Sequence, residues 1–381
     1  MKRILIINLD GTKLTTREKR LLKCEIIAGV ILFKNNYTSK EQVKHLIRDI
    51  KDINPNLFIS IDHEGGRIQR FQVDFTDLPS FELVSNIRDI DQQEKIITAV
   101  GFVAGYELKN IGIDINYSPV VDLLHNKNSK LLKDRTFGMD INDVVRLSSL
   151  YIDSCINTGV LSVLKHFPGH GRVDTDTHTH FCKSDVLLSN LLETDIAPFK
   201  NLHNKYKIPI MTNHILYSSI DDKICTYSHK ILSDLSEKIF DESPVFISDD
   251  LEMYSARYIN EKLISCEDRV LQALKAGCSY LICTTNLVAD IKNYESSAEY
   301  FEKNYITDKI LDYCDTNHDK IKELEIIDNF SNDKILYEKH LEDLVKYIPY
   351  FQTSFFEKEN LNVVSPYTQL SYVLPRSSLN L

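Results

Sequence analysis

Short runs rich in β-branched and other apolar residues recur eight times in the first 290 or so residues, at 4–9, 29–33, 57–62, 114–120, 162–167, 208–214, 245–249 and 279–284. Several are continuously apolar, as strands covered on both faces must be. The stretches between them often carry helical periodicity instead. Val43, Leu46, Ile47 and Ile50 fall at i, i+3, i+4 and i+7, one face of an amphipathic helix. Thr38 and Glu41 stand at capping-box spacing before it. Ile96, Val100, Val103 and Leu108 mark a further helix that ends near Gly112. Strands alternating with helices predict a parallel sheet with crossover connections, and eight such units predict a closed (β/α)8 TIM barrel of the α/β class. A doubly wound open sheet is the alternative. The turn after the first run has no G-x-G-x-x-G, which counts against a dinucleotide-binding version of it.

Beyond about residue 300 the chain turns rich in Asn, Asp, Lys, Glu and Tyr, with apolar residues at helical spacing at 321–327 and 335–345. The expected organisation is a catalytic barrel over 1–300 and a helical C-terminal extension over 301–381. A tail from about Phe351 carries Val363, Val364, Tyr367, Leu370 and Tyr372 as residues to pack on the barrel.

The formal charge of −10 and the absence of a long basic run argue against nucleic acid or an anionic membrane surface as partner. No run approaches the ~20 apolar residues of a membrane helix, and the apolar stretch at 4–9 is too short for a signal sequence. Eight scattered cysteines form no C-x-x-C pair, which fits thiols in a reducing compartment. The expected location is the cytoplasm.

In a barrel of this kind chemistry gathers where the strands end. The third run ends in Asp62-His63-Glu64-Gly65-Gly66, with Arg67 and Arg70 following; the fifth in Lys165-His166; the sixth in Asn213-His214; the seventh in Asp249-Asp250. Charged and imidazole groups thus collect at one edge, which stability alone does not demand. The connection after the fifth run, 168–189, is long and opens with Gly169 and Gly171, and long loops in compact domains are usually functional. It offers Asp174, Asp176, His178 and His180. Asp176 and His178, two residues apart, are spaced for a carboxylate to hold and polarise an imidazole, a proton shuttle near neutral pH. His178, His180 and Asp174 also have a spacing that metal ligands use. Of Asp249 and Asp250, adjacent on a strand, only one should face the pocket; capping of the next helix is the other use of such a pair.

The assembled motifs resemble glycoside hydrolase family 3, in particular the compact bacterial β-N-acetylglucosaminidases of peptidoglycan recycling. The matching pieces are GVILFKNNY at 29–37, IDHEGGRIQRF at 61–71, SPVVDL at 118–123, DRTFG at 134–138, KHFPGHG at 165–171, DTH at 176–178 and ISDDLEM at 247–253. The resemblance implies that Asp249, not Asp250, is the nucleophile. It also implies that His178 is the general acid/base with Asp176 orienting it, and that Asp62, Arg70, Arg135, Lys165 and His166 hold the terminal sugar. Two positions depart from the family pattern: His63 stands where a Gln is usual, and the sixth run reads MTNH.

The implied activity is a retaining exo-β-N-acetylglucosaminidase acting through a covalent glycosyl-enzyme. It needs no metal and no cofactor, and its partner is a small carbohydrate, a muropeptide containing N-acetylglucosamine. A family 3 glycosidase or phosphorylase of other specificity, or a sugar-binding homologue without catalysis, is the alternative. The length and glycine content of the dyad's loop lead to the expectation that it moves and completes the site over bound sugar. No oligomeric state follows from the sequence.

Overall fold

The computed structural model describes residues 2–259 and 262–285, then 299, 302, 304–317, 319, 322–324, 326 and 333–347. Eight parallel strands form the centre: β1 (Leu5–Ile7), β2 (Ile27–Leu32), β3 (Phe58–Ile61), β4 (Ile115–Asn116), β5 (two pieces, Leu161–Ser162 and Leu164–Phe167), β6 (Ile210–Thr212), β7 (Phe246–Ser248) and β8 (Cys278–Cys283). Their order is β4-β3-β2-β1-β8-β7-β6-β5, and the first piece of β5 pairs back onto β4 through Ile115 with Leu161 and Asn116 with Ser162. The second piece pairs with β6. Strand five therefore closes the ring, and the open doubly wound sheet is excluded. All six residues of β2 and of β8 are buried, the two-sided cover that a continuous apolar run demands.

Helices wrap the ring. In α1 (Lys40–Ile53) the buried residues are Val43, Leu46, Ile47 and Ile50, the face that the spacing marked. Its cap differs from the expected Thr38–Glu41 box. Ser39 is the N-cap and accepts from Gln42 N, while the Gln42 side chain reaches back to Thr38. The cap thus falls one residue later, and no reciprocal box forms, because Gln42 accepts from Thr38 and not from the Ser39 N–H. In α2 (Ile90–Ile111) Asp89 caps the start and Gly112, at φ 97°, closes the end with its N–H on the Leu108 and Lys109 carbonyls. A Cβ there would lie 2.9 Å from Ile47 of α1, so glycine is required by both angle and space.

Beyond β8, α3 (Asp308–Thr316) buries Ile310 and Cys314. The last described helix, α4 (Lys334–Tyr347), buries Tyr337, Leu341 and Leu344 and stacks Tyr337 on Tyr106 of α2 at 4.3 Å. The helix expected at 335–345 is present. The one expected at 321–327 is not: Lys322, Glu323, Leu324 and Ile326 lie outside any helix. The N–H of Lys322 goes to Ser279 Oγ and that of Leu324 to Tyr280 OH, so this segment spends its backbone on β8 and not on a helical ladder. The tail from Phe351 lies outside the described residues. Among the described residues no helix is long and apolar enough to cross a membrane.

Candidate active site

A cavity of about 500 Å³ opens at the carboxyl ends of the strands. Asp62, Arg70, Arg135, Lys165, His166, Asp176, His178 and Asp249 all line it, with Phe33, Arg67, Tyr117 and Met211 among its other walls. Residues far apart in the chain thus converge as strand ends of one ring must.

One wall is an alternating charge network. Arg70 Nη2 is 2.9 Å from Asp62 Oδ2, and Lys165 Nζ is 2.9 Å from Asp62 Oδ1 and 2.7 Å from Glu64 Oε1. Arg135 closes the row with a bidentate grip on Glu64 at 2.9 and 2.8 Å. Burial alone would raise the acids, but the neighbouring cations outweigh it. Lys165 and Arg70 hold Asp62 far below the usual carboxylate range, and Arg135 and Lys165 bring Glu64 down to about 2. Arg70, Lys165, Arg135 and Asp62 present both donors and acceptors to a polyhydroxylated ligand, with Glu64 buried behind them. Arg70 also lies over the Phe33 ring. Glu64 was not singled out from the sequence as a site residue, although it lies inside the D-x-E-G-G motif; its signal was a carboxylate one alternation away from Asp62.

A second wall is His166, whose Nδ1 is 2.7 Å from Asp122 Oδ2. The other Asp122 oxygen accepts from the backbone N–H groups of His166 and His170 at 3.1 and 2.7 Å. Asp122 is fully buried, yet the charge and hydrogen bond of His166 leave it below the usual range in spite of burial. Sequence reading missed Asp122 as well; it is the Asp of SPVVDL, one strand over from KHFPGHG.

The two acids after β7 divide. Asp250 is buried and accepts from Glu252 N at 3.1 Å, Thr284 N at 3.0 Å and Thr284 Oγ1, with burial pushing it up to about 6. It ties the turn to the end of β8 and does not cap the short helix that follows, Tyr254–Arg257, whose N-cap is Met253. Asp249 remains open to the cavity. Its Oδ1 accepts only from Asp250 N, at 2.8 Å, among the described residues. Burial opposes its charge, but the imidazoles of His166, His214 and His178 outweigh that and hold it below the ordinary value.

Facing it is the loop after β5. His178 Nδ1 is 2.7 Å from Asp176 Oδ1, which also accepts from His178 N at 2.9 Å. That hydrogen bond chiefly brings Asp176 down to about 2. Burial pulls the His178 imidazole down, but the bond to Asp176 and the charge of Asp249 more than offset it, leaving His178 raised. The loop is anchored at both ends. At its base Gly171 passes so close to the Leu123 carbonyl that a Cβ would sit 1.6 Å from the oxygen, and Arg172 and His125 both grip buried Asp195, at 2.7 and 2.8 Å. At its far side Thr177 and His178 carbonyls accept from Ser255 N and Tyr254 N at 3.1 and 3.4 Å, and Ser255 Oγ bridges His180 O and Cys182 N.

The remaining candidates do not join the site. Asp174 accepts from Asn126 and His180 pairs with Thr179, so the metal-like spacing with His178 does not converge. Among the described residues no three His, Cys, Asp or Glu side chains group to hold a metal ion. His63 is fully buried against Phe71 and Phe75, and burial pushes it down to about 3; the departure there falls behind the cavity. Asn213 bonds the His166 carbonyl and Tyr217 OH, and His214 bonds Thr226 and the Asp250 carbonyl, so the sixth strand's end braces the fifth and seventh.

The glycosyl hydrolase family 3 N-terminal domain model matches residues 2–312. A Beta-hexosaminidase from Psychromonas ingrahamii is 35% identical over 74% of this chain and 82% of its own length. A Beta-hexosaminidase from Haemophilus influenzae is 33% identical over 73% and 78%. Among solved structures, NagZ from Neisseria gonorrhoeae in complex with N-trifluoroacetyl-D-glucosamine superposes with a TM-score of 0.73 at 27% identity, covering 91% of this chain and 98% of that one.

Proposed function

The chain belongs to glycosyl hydrolase family 3, and from that premise we propose a retaining β-N-acetylhexosaminidase that removes terminal N-acetylglucosamine from β-glycosides. The observation that carries the reading is the convergence of Asp249 and the Asp176–His178 pair on one cavity that Asp62, Lys165 and Arg135 also line, the last two paired with Glu64. The two relatives named Beta-hexosaminidase and the glucosamine derivative bound in the Neisseria protein point to the same substrate class.

In the first step Asp249 attacks the anomeric carbon while His178 protonates the departing oxygen. The raised His178 is suited to give a proton at neutral pH. Formation of the glycosyl ester consumes the charge of Asp249, which is one of the influences that raises the imidazole. His178, having given its proton to the departing oxygen, is neutral, and the lost charge lowers its pKa so that it stays so; in the second step it takes a proton from water as that water attacks the anomeric carbon and releases the Asp249 carboxylate. Asp176 keeps the imidazole oriented through both steps. Asp62, Arg70, Arg135, Lys165 and His166 hold the sugar hydroxyls. Peptidoglycan fragments in the cytoplasm, with N-acetylglucosamine linked to a muramoyl peptide, are the proposed substrate, and the barrel over 1–300 is the catalytic unit.

The test is to trap the enzyme with a fluorinated glycosyl inhibitor, digest it and locate the added mass. A label on the peptide containing Asp249 is expected; a label on any other carboxylate defeats the assignment.

A further inference from the structure

The turn after β7 carries both halves of the proposed chemistry. Asp249 opens it. Tyr254 and Ser255, at its far end, donate their N–H groups to the carbonyls of His178 and Thr177. Midway between them stands Glu252, whose backbone N–H is 3.1 Å from Asp250 Oδ1. Its side chain is fully buried and is not part of the cavity wall. Oε1 accepts hydrogen bonds from Arg269 Nη2 and from the Tyr305 hydroxyl, and Oε2 lies 3.6 Å from Arg257 Nε. Arg269, itself buried, is fixed by the Ile264 carbonyl at 2.8 Å and by the Tyr305 oxygen at 3.1 Å. Tyr305 is fully buried and comes from beyond β8, outside the ring of strands.

A buried carboxylate is costly unless it is fully engaged, and apolar side chains would stabilise a turn at least as well. Three segments of chain instead spend polar groups on one carboxylate three residues from the nucleophile. Such a hub fixes position, and position governs rate: a displacement of 1 Å can cost on the order of 10²-fold. We propose that Tyr305 and Arg269 are positioning residues that set the separation of Asp249 and His178 by clamping Glu252. This rests on the reading of Asp249 and His178 as nucleophile and acid/base. Burial, and then the charge of Glu252, push the Tyr305 phenol well above its ordinary range, so it remains a donor to Glu252 at every working pH.

The test uses the full-length chain with a nitrophenyl N-acetyl-β-glucosaminide, comparing Tyr305→Phe, Glu252→Gln and the double variant, with folding checked by circular dichroism. Tyr305→Phe is expected to lower kcat about 10-fold with KM within about twofold, because the sugar-holding side chains sit on other strands. Glu252→Gln is expected to lower kcat at least as far, and the double variant no further than Glu252→Gln alone, since Tyr305 acts through Glu252. Wild-type kcat in folded Tyr305→Phe and Glu252→Gln overturns the inference, and so does a rise in KM with kcat kept. Should Tyr305→Phe not fold, Glu252→Gln alone decides by the same kcat and KM criteria. Asp249→Ala separates the two failures. If it retains turnover, the catalytic reading has failed; if it is inactive while the folded clamp variants match wild type, only the clamp has.

Discussion

Asp122 places one carboxylate oxygen 2.7 Å from His166 Nδ1 and the other on two backbone N–H groups of the same strand end. The imidazole therefore has one orientation, with Nδ1 spent and the opposite nitrogen left for the cavity it lines. Asp122→Asn replaces an acceptor-only group with one that also donates, and leaves a buried polar atom mispaired at a cost of about 1–3 kcal/mol. The expected result is a loss of about 10- to 100-fold in kcat/KM, with weaker inhibition by free N-acetylglucosamine, measured by steady-state kinetics.

Glu64 stands between Lys165 and Arg135; it is buried with Lys165, while Arg135 is partly exposed. Glu64→Gln removes one of two anions that hold three cations. Breaking a buried charge network in this way costs about 3–5 kcal/mol. At the sensitivity of a chain this size the melting temperature should fall by about 4–6 °C. KM should rise more than kcat falls, because the disturbed groups face the sugar and not the scissile bond. Calorimetry and kinetics on the same preparation check both expectations.

The pH profile follows from the directions of the shifts. His178 acts in its protonated form and is raised above its ordinary value, so kcat/KM should hold through neutral pH and fall as pH rises through that raised pKa. Asp249 is lowered, and Asp176 is down at about 2, so neither protonates until strongly acid pH. Because the charge of Asp249 contributes to raising His178, Asp249→Asn should shift the His178 titration to lower pH. Histidine NMR titration of the inactive variant measures this directly, and an unchanged pKa would show the two groups to be electrostatically independent.

Strands were legible because continuous apolar runs of four to eight residues leave few other uses for such side chains, and their alternation with helical spacing implied the ring. Asp62, Lys165, His166 and Asp249 were legible because polar groups ended apolar runs, and the Asp176–His178 pair because its loop is long, whereas Arg70 and Arg135 were reached only through the family resemblance. What the sequence hid was pairing. Nothing in the spacing of Glu64 or Asp122 tells that one neutralises Lys165 and Arg135 and the other orients His166, since those partners come from other strands and loops of the ring, far along the chain. The 321–327 segment misled for a related reason: its apolar spacing is that of a helix, yet its N–H groups are taken by Ser279 and Tyr280 of β8, a tertiary competition that no local pattern reveals. Strand alternation led to the expectation that only one of Asp249 and Asp250 faces the pocket, yet both line it; what distinguishes them is that the Asp250 carboxylate is engaged by Thr284.

The helix α4 gives the region beyond residue 300 a measurable role. Tyr337 stacks on Tyr106 and donates to Glu107 at 2.8 Å, a buried carboxylate that also serves Lys40 and the Thr76 backbone. Leu341 and Leu344 are fully buried beneath it. None of these residues lines the cavity. Leu341→Ala should therefore cost about 2–5 kcal/mol of stability through lost burial and the void left behind. At a temperature where the variant stays folded, kcat and KM should match wild type. Denaturant unfolding and low-temperature kinetics separate the two quantities. A kcat that fell in step with stability would mean that α4 is coupled to the strand ends and not only to α2.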